Sequence, residues 1–267
     1  MQTCGENLAS RLRQGGVVHS AWSNFGVPVV CEAFVRAGFS SVVVDMQHGM
    51  ARGSEARDCV SAIVAAKASA AVRVCVGSFQ DASWMLDVGA EAVIAPMVNS
   101  AEDAKRLVEF CKYPPVGARS FGAFRGCMLN DCDMASYQET ANEETVAMAM
   151  IETPEAVGAL DDILAVDGLD GVFVGPADLS LTLSNGGEVA PEADHALSMQ
   201  KEIAEKAEAA RKFAGIYCVS ERHFHASVAS GYRFLAYGAD GQIFGEAARH
   251  VSSLLSSHPT KGSSDIY

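Results

Sequence analysis

Residues 146–180, VAMAMIETPEAVGALDDILAVDGLDGVFVGPADLS, are the stretch from which the fold is read. They divide into an apolar strand ending at Glu152, a helix opening at Pro154, and a second strand, residues 171–174, that runs out into Gly175, Pro176, Ala177 and Asp178. Two carboxylates, Glu152 and Asp178, therefore stand at or just beyond the C-terminal ends of successive parallel strands. α/β barrels keep their chemistry at that end, because the βα loops vary there while the packed strands fix position. A pair of carboxylates about one strand apart offers oxygen ligands to a divalent cation and leaves room for water and a chelating substrate.

Working outward, short apolar strands alternate with longer helical patterns along the whole chain, as in repeated βα units around a parallel sheet. The pattern predicts strands at 17–23, 41–46, 71–76, 92–98, 146–151, 171–174, 215–219 and 234–237. Helices are expected at 28–37 and 54–68, through FQDASWMLDVG up to the breaker Gly89, and from AEDAKRLVEFCKY behind a cap at Asn99 or Ser100. Later helices are expected after Pro154 and at 191–213, 222–230 and 243–257. Residues 113–142 interrupt the rhythm as a long excursion containing Pro and Gly, and loops of that length in a compact domain are usually functional. LTLSNGGEVA reads as a surface turn, and the tail HPTKGSSDIY has no pattern. The expectation is one (β/α)8 TIM-barrel domain over residues 1–267.

Composition agrees with that size of core, with 49% hydrophobic and 20% charged residues. The net charge of -13 disfavours a nucleic-acid surface, which relies on clustered Lys and Arg. The 8 cysteines are scattered, none in a CxxC pair, and several lie in apolar segments where a thiol behaves as a small hydrophobe. The N-terminal MQTCGENLASRLRQGG has no signal-like apolar core, and no run reaches membrane-spanning length. A reducing, cytoplasmic setting with no membrane partner is expected.

Further candidates gather at other strand ends. Asp45 closes an apolar strand, where a charge needs a partner or a metal-bound water, and His48 follows in the same turn. A lone loop histidine is more often a surface residue; Asp and His together at one barrel mouth point to function. Arg73 sits within AAVRVCV and points either outward among the helices or inward to the mouth, where its fork suits a carboxylate or an enolate oxygen. An ion pair with Asp45 or Glu152 is compatible with either role. Asp87, late in WMLDVG, reads by itself as a surface charge. Met148, Met150 and Glu152 share one strand face, so Met150 neighbours the metal position as core filler. Small residues at 175–177 leave amide groups open to an anionic carboxylate. Lys67, Lys105, Lys112, Lys201, Lys206, Lys212 and Lys261 all lie away from strand ends, so a Schiff-base mechanism has no amine at the barrel centre. Aldol chemistry would then use a metal ion as electron sink.

VVVDMQHG, VRVCVGS, MLDVGAEAVIAPMV, YPPVGARSFG, MIETPEAV and DGVFVGPADLS, in this order, resemble the HpcH/HpaI aldolases, metal-dependent pyruvate aldolases. The resemblance runs from about Val17 to the last helix and implies reversible cleavage of a 4-hydroxy-2-oxo acid to pyruvate, or hydroxypyruvate, and an aldehyde. It assigns Glu152 and Asp178 as ligands of magnesium, manganese or cobalt, Arg73 as the holder of the pyruvate oxygen, and His48 as the base with Asp87 as its dyad partner. Asp45 becomes the acid near the metal waters, Trp22 an aromatic at the mouth, and Arg119 a loop residue near the aldehyde end. It also implies a hexamer, a trimer of dimers that exchange a C-terminal helix. Two positions depart from the pattern. Gln47 stands where Glu is usual, changing the charge near His48, and Met150 stands where Gln is frequent, removing a hydrogen-bonding group beside the metal. Both bear on the acceptor more than on the reaction.

Other classes fit less well. A CoA-ester lyase of the citrate-lyase β type wants a basic surface for the CoA phosphates, against the acidic balance. A phosphoenolpyruvate mutase would need a cysteine-containing loop that is not found here. A non-catalytic 2-oxo acid binding barrel is suggested by Gln47 and Met150 and opposed by the complete set of metal, arginine and histidine positions.

Overall fold

Runs of Val, Ala and Ile that are apolar on both faces build a sheet covered on both sides, because parallel strands are buried by the helices that connect them. In the computed structural model, which describes residues 7–256, the elements follow in this order. They are α1 (Leu8–Arg13), β1 (Val18–Ser23), α2 (Pro28–Arg36), β2 (Ser41–Asp45), α3 (Gly53–Ala65), β3 (Ser69–Arg73) and α4 (Phe79–Asp87). Next come β4 (Ala92–Ala95), α5 (Ala101–Cys111), α6 (Phe124–Asn130), α7 (Met134–Glu144), β5 (Val146–Ile151), α8 (Pro154–Gly158) and α9 (Leu160–Leu164). The chain continues through β6 (Gly171–Val174), α10 (Pro176–Leu183), α11 (Asp194–Ala209), β7 (Phe213–Tyr217), α12 (Glu221–Ala229), β8 (Phe234–Ala239) and α13 (Asp240–Ser256). All strand pairings are parallel and in sequence order, and β8 returns to β1, closing the (β/α)8 barrel expected from the sequence.

Strand alternation sorts the core into two layers. Val18, Trp22, Val43, Ala71, Ile94, Met148, Met150, Phe173 and Phe234 fill the interior. Their neighbours Val42, Val44, Val72, Val93, Ala147, Ala149, Val172 and Ile216 face the helices. Ile94 is fully buried, so truncation to Ala costs about 2–5 kcal/mol through lost burial and the cavity left behind. Leu8, Ala9 and Leu12 of α1 join the interior layer and close the N-terminal mouth. Asn7 caps this helix by accepting from Ser10 N–H at 2.8 Å, and Leu8 N–H donates to Glu91 Oε2 at 2.6 Å. A helix of six residues gives too little periodicity to be read from sequence, and it was not expected.

The structure corrects several boundaries. β3 begins at Ser69, earlier than the expected 71–76, so Arg73 ends the strand instead of interrupting it. β7 likewise lies earlier than 215–219 and puts Tyr217 at its end. The helix after Pro154 is two short helices, and LTL of the expected surface turn belongs to α10. The excursion at 113–142 is not irregular: it carries α6 and α7 around a third apolar cluster of Tyr113, Ala123, Cys127, Tyr137 and Ala141. Among the described residues no helix is long and apolar enough to cross a membrane. The tail HPTKGSSDIY lies outside the described residues.

Candidate active site

Sheet register places the first functional pair. Asp45 and Arg73 are direct partners across β2 and β3, both on the inward face at the C-terminal ends of their strands. Arg73 Nε donates to Asp45 Oδ1 at 2.9 Å and Nη2 to Oδ2 at 2.6 Å, a two-pronged ion pair that is almost wholly buried. Asp45 also accepts from Trp22 Nε1 and Asn24 Nδ2, each at 3.3 Å, and from the amides of Gln47 and His48 at 3.0 and 3.2 Å. Burial pushes its pKa up, but the Arg73 bonds and charge outweigh burial and hold the carboxylate below its ordinary value. The Arg73 guanidinium lies over the Trp22 ring, 4.8 Å from its centroid. Of the two directions open to Arg73, the structure takes the inward one.

The second pair is the carboxylates. Glu152 follows β5 as Gly175 follows β6, one residue beyond the register partners Ile151 and Val174. A Cβ on Gly175 would stand 2.5 Å from Glu152 Oε1, so a side chain there would displace the carboxylate. Glu152 is 2% exposed and its Oε2 accepts from Met97 N–H at 3.0 Å. Burial pushes Glu152 up to about 7; the Met97 bond and Arg73 oppose the rise, and the charge of Asp178 adds to it. Asp178 lies in the first turn of α10, exposed to solvent. A half-satisfied buried carboxylate raised by a like charge is the donor set a divalent cation relieves, so these residues fit one. Among the described residues no group of three or more His, Cys, Asp or Glu side chains is placed to hold a metal. An ion here would therefore take two protein carboxylates and draw its other oxygens from substrate and water, as magnesium sites commonly do.

A cavity of about 250 Å³ is lined by one member of each pair, Arg73 and Asp178. Trp22, His48, Arg73, Met150, Gly175, Pro176, Ala177 and Asp178 line it, together with Asn24, Phe173 and Tyr217, which the sequence reading did not single out. Tyr217 was hidden by the misplaced end of β7; with the strand at 213–217 its inward parity follows from Phe213 and Gly215. Gln47 donates its amide to Asp45, and its side-chain Oε1 is buried without a partner. No lysine lines the cavity.

Asp87 and Arg119 are brought together with each other and not with His48. Arg119 Nη2 donates to Asp87 Oδ1 at 2.7 Å, with the guanidinium 4.6 Å from the Tyr113 ring centroid and 3.4 Å from the Tyr137 hydroxyl oxygen. Arg119 is 4% exposed, away from the cavity, and its Nε and Nη1 have no partner. No hydrogen bond or ion pair among the described residues links Asp87 to His48.

The model of the HpcH/HpaI aldolase/citrate lyase family matches residues 20–247. The chain belongs to this family. Its relatives include a hydroxypyruvate/pyruvate aldolase of Rhizorhabdus wittichii, 36% identical over 89% of this chain and 94% of the relative. A 4-hydroxy-2-oxovalerate aldolase of Novosphingobium aromaticivorans is 32% identical over 93% of this chain and 94% of its own. The crystal structure of an HpcH/HpaI aldolase from Desulfitobacterium hafniense superposes with a TM-score of 0.86 at 27% identity, covering 97% of this chain and 100% of that one. With aldolase-named relatives at this identity over most of its length, the chain is a carbon–carbon lyase of the aldolase type.

Proposed function

We propose that the enzyme reversibly cleaves a 4-hydroxy-2-oxo acid to an aldehyde and pyruvate or hydroxypyruvate, using magnesium, manganese or cobalt held by Glu152 and Asp178. The observation that carries this reading is the convergence of Asp178, Arg73 and His48 on one cavity, with the Glu152 carboxylate directly behind its Gly175 wall. The bound ion would supply Lewis acidity to the 2-oxo group. Arg73, its Nε and Nη2 committed to Asp45, turns its remaining N–H groups toward the oxo oxygen and stabilises the negative charge that grows there as the C3–C4 bond breaks. His48 accepts the C4 hydroxyl proton at a ring nitrogen in cleavage and returns it in condensation. The amides that open α10, beyond Pro176, receive the substrate carboxylate. Trp22, Phe173 and Tyr217 exclude water from the reacting carbons. Asp87 enters as the partner of Arg119, setting the charge on the excursion side.

Identity of the relatives supports the donor, since one is named for hydroxypyruvate and pyruvate. A homo-oligomer, a hexamer in which C-terminal helices are exchanged, is supported by α13, where Ile243, Phe244, Val251, Leu254 and Leu255 are all exposed. Free thiols at all seven described cysteines support a reducing, cytoplasmic setting. Activity should vanish in EDTA and return with manganese. Full activity in EDTA, or inactivation by borohydride with pyruvate, overturns the reading.

A further inference from the structure

α6 ends in a left-handed turn of unusual content. Asp131 has φ 52° and ψ 43°, and its N–H donates to the carbonyl of Cys127. Cys132 N–H donates to the same carbonyl at 3.1 Å. This hydrogen-bond pattern folds the residue after the left-handed position back onto the one five earlier, where an apolar contact usually forms. Here both positions are cysteines, and both line the same surface cavity. Cys127 Sγ also reaches Met134 Sδ at 3.5 Å. Cys127, Cys132 and Met134 line one surface cavity of about 440 Å³, Cys132 half-buried and Cys127 6% exposed.

Two thiols and a thioether are soft donors, and soft donors select Cu(I) over hard ions such as magnesium or manganese. Zinc in closed sites asks for four ligands from His, Cys or carboxylates, and no group of three such side chains gathers among the described residues. We propose that Cys127, Cys132 and Met134 form a binding site for a soft monovalent metal ion of the copper(I) class, separate from the aldolase centre. Binding replaces the two thiol protons, so affinity rises with pH. It also ties the end of α6 to the start of α7.

The test uses the reduced, full-length protein titrated anaerobically with Cu(I) against bicinchoninate. The chain should withdraw about one equivalent of copper, and the Cys127→Ser/Cys132→Ser variant should lose it. Met134→Leu, which conserves volume and keeps the fold, should weaken binding by roughly 10- to 100-fold. A variant lacking Cys31 and Cys59, which are buried elsewhere in the core, should bind as wild type does. Copper withdrawal undiminished in the Cys127/Cys132 double variant, unchanged affinity in Met134→Leu, or no withdrawal by the reduced wild type overturns the proposal.

Discussion

Both mouths of the barrel bury paired charge, Lys112 with Asp170 at one and Arg73 with Asp45 at the other, but only the C-terminal mouth adds a carboxylate short of partners. At the N-terminal mouth Lys112, 1% exposed, donates to the carbonyls of Asn142 and Thr145 at 2.8 and 2.6 Å and pairs with Asp170 at 2.7 Å. Asp170 takes the Ala147 amide as well, and Glu91 takes the Leu8 amide and the Ser69 hydroxyl. At the C-terminal mouth Glu152 holds one amide and faces the like charge of Asp178, while Gln47 keeps an unpartnered oxygen. The N-terminal cavity is the larger, about 620 Å³ against about 250 Å³. Volume therefore does not mark the working end; incompletely satisfied charge does.

The comparison breaks most visibly if Glu152 proves structural. Glu152→Gln should lower kcat/KM by roughly 10³-fold or more through loss of a metal ligand, with the melting temperature unchanged or raised because a buried charge is removed. A destabilised but active variant would reverse the assignment. Lys112→Met should do the opposite, costing about 3–5 kcal/mol in urea unfolding by stranding Asp170, with turnover per folded molecule unaltered. His48→Ala should cost about 10²- to 10⁴-fold in turnover while pyruvate still binds, measured by calorimetry. Turnover within a few-fold of wild type would remove His48 from the chemistry.

The smallest effect sharpens the rule, because it comes from a saturated residue near the working end. His223, 1% exposed, accepts from Val219 N–H at Nδ1 over 3.3 Å, and its Nε2 meets Gln200 Oε1 at 2.7 Å. Burial holds its pKa below the ordinary value of 6.5. The unfolded chain therefore takes up this proton first. The stability that neutral His223 contributes is present above about pH 6.5 and is lost as pH falls through the folded pKa, at no more than about 1.4 kcal/mol per pH unit. Urea midpoints between pH 7 and 5 should show this slope in wild type and not in His223→Gln; equal slopes would discard the idea.

The barrel was legible because doubly covered strands are written as contiguous apolar runs, and the two carboxylates proposed as metal ligands because Glu152 and Asp178 closely follow two of them. Asp45 with Arg73 was legible as two charges in apolar strands, with an ion pair to Asp45 or to Glu152 left open; choosing Asp45 needed the register of β2 against β3. The excursion was not legible as helix. Its apolar residues are split between a helix of 7 residues and one of 11, around Gly122 and Gly126, and neither piece sustains a repeat. Asp87 with Arg119 was out of reach for another reason: they are 32 positions apart, and nothing local to either encodes the contact.

The N-terminal plug has a consequence for how the chain reaches its native state. α1 leaves the ribosome before any of the strands, yet the interior layer that takes in Leu8, Ala9 and Leu12 also holds Phe234 and Ala236 of the last strand. That surface is complete only after β8 has paired with β1, a contact between nearly opposite ends of the sequence. Loop closure of that span precedes the reward for it, which slows folding and exposes partly built sheets to aggregation. A helix synthesised ahead of every strand is thus among the last to be seated, and half-barrel fragments carrying it keep its apolar face in water.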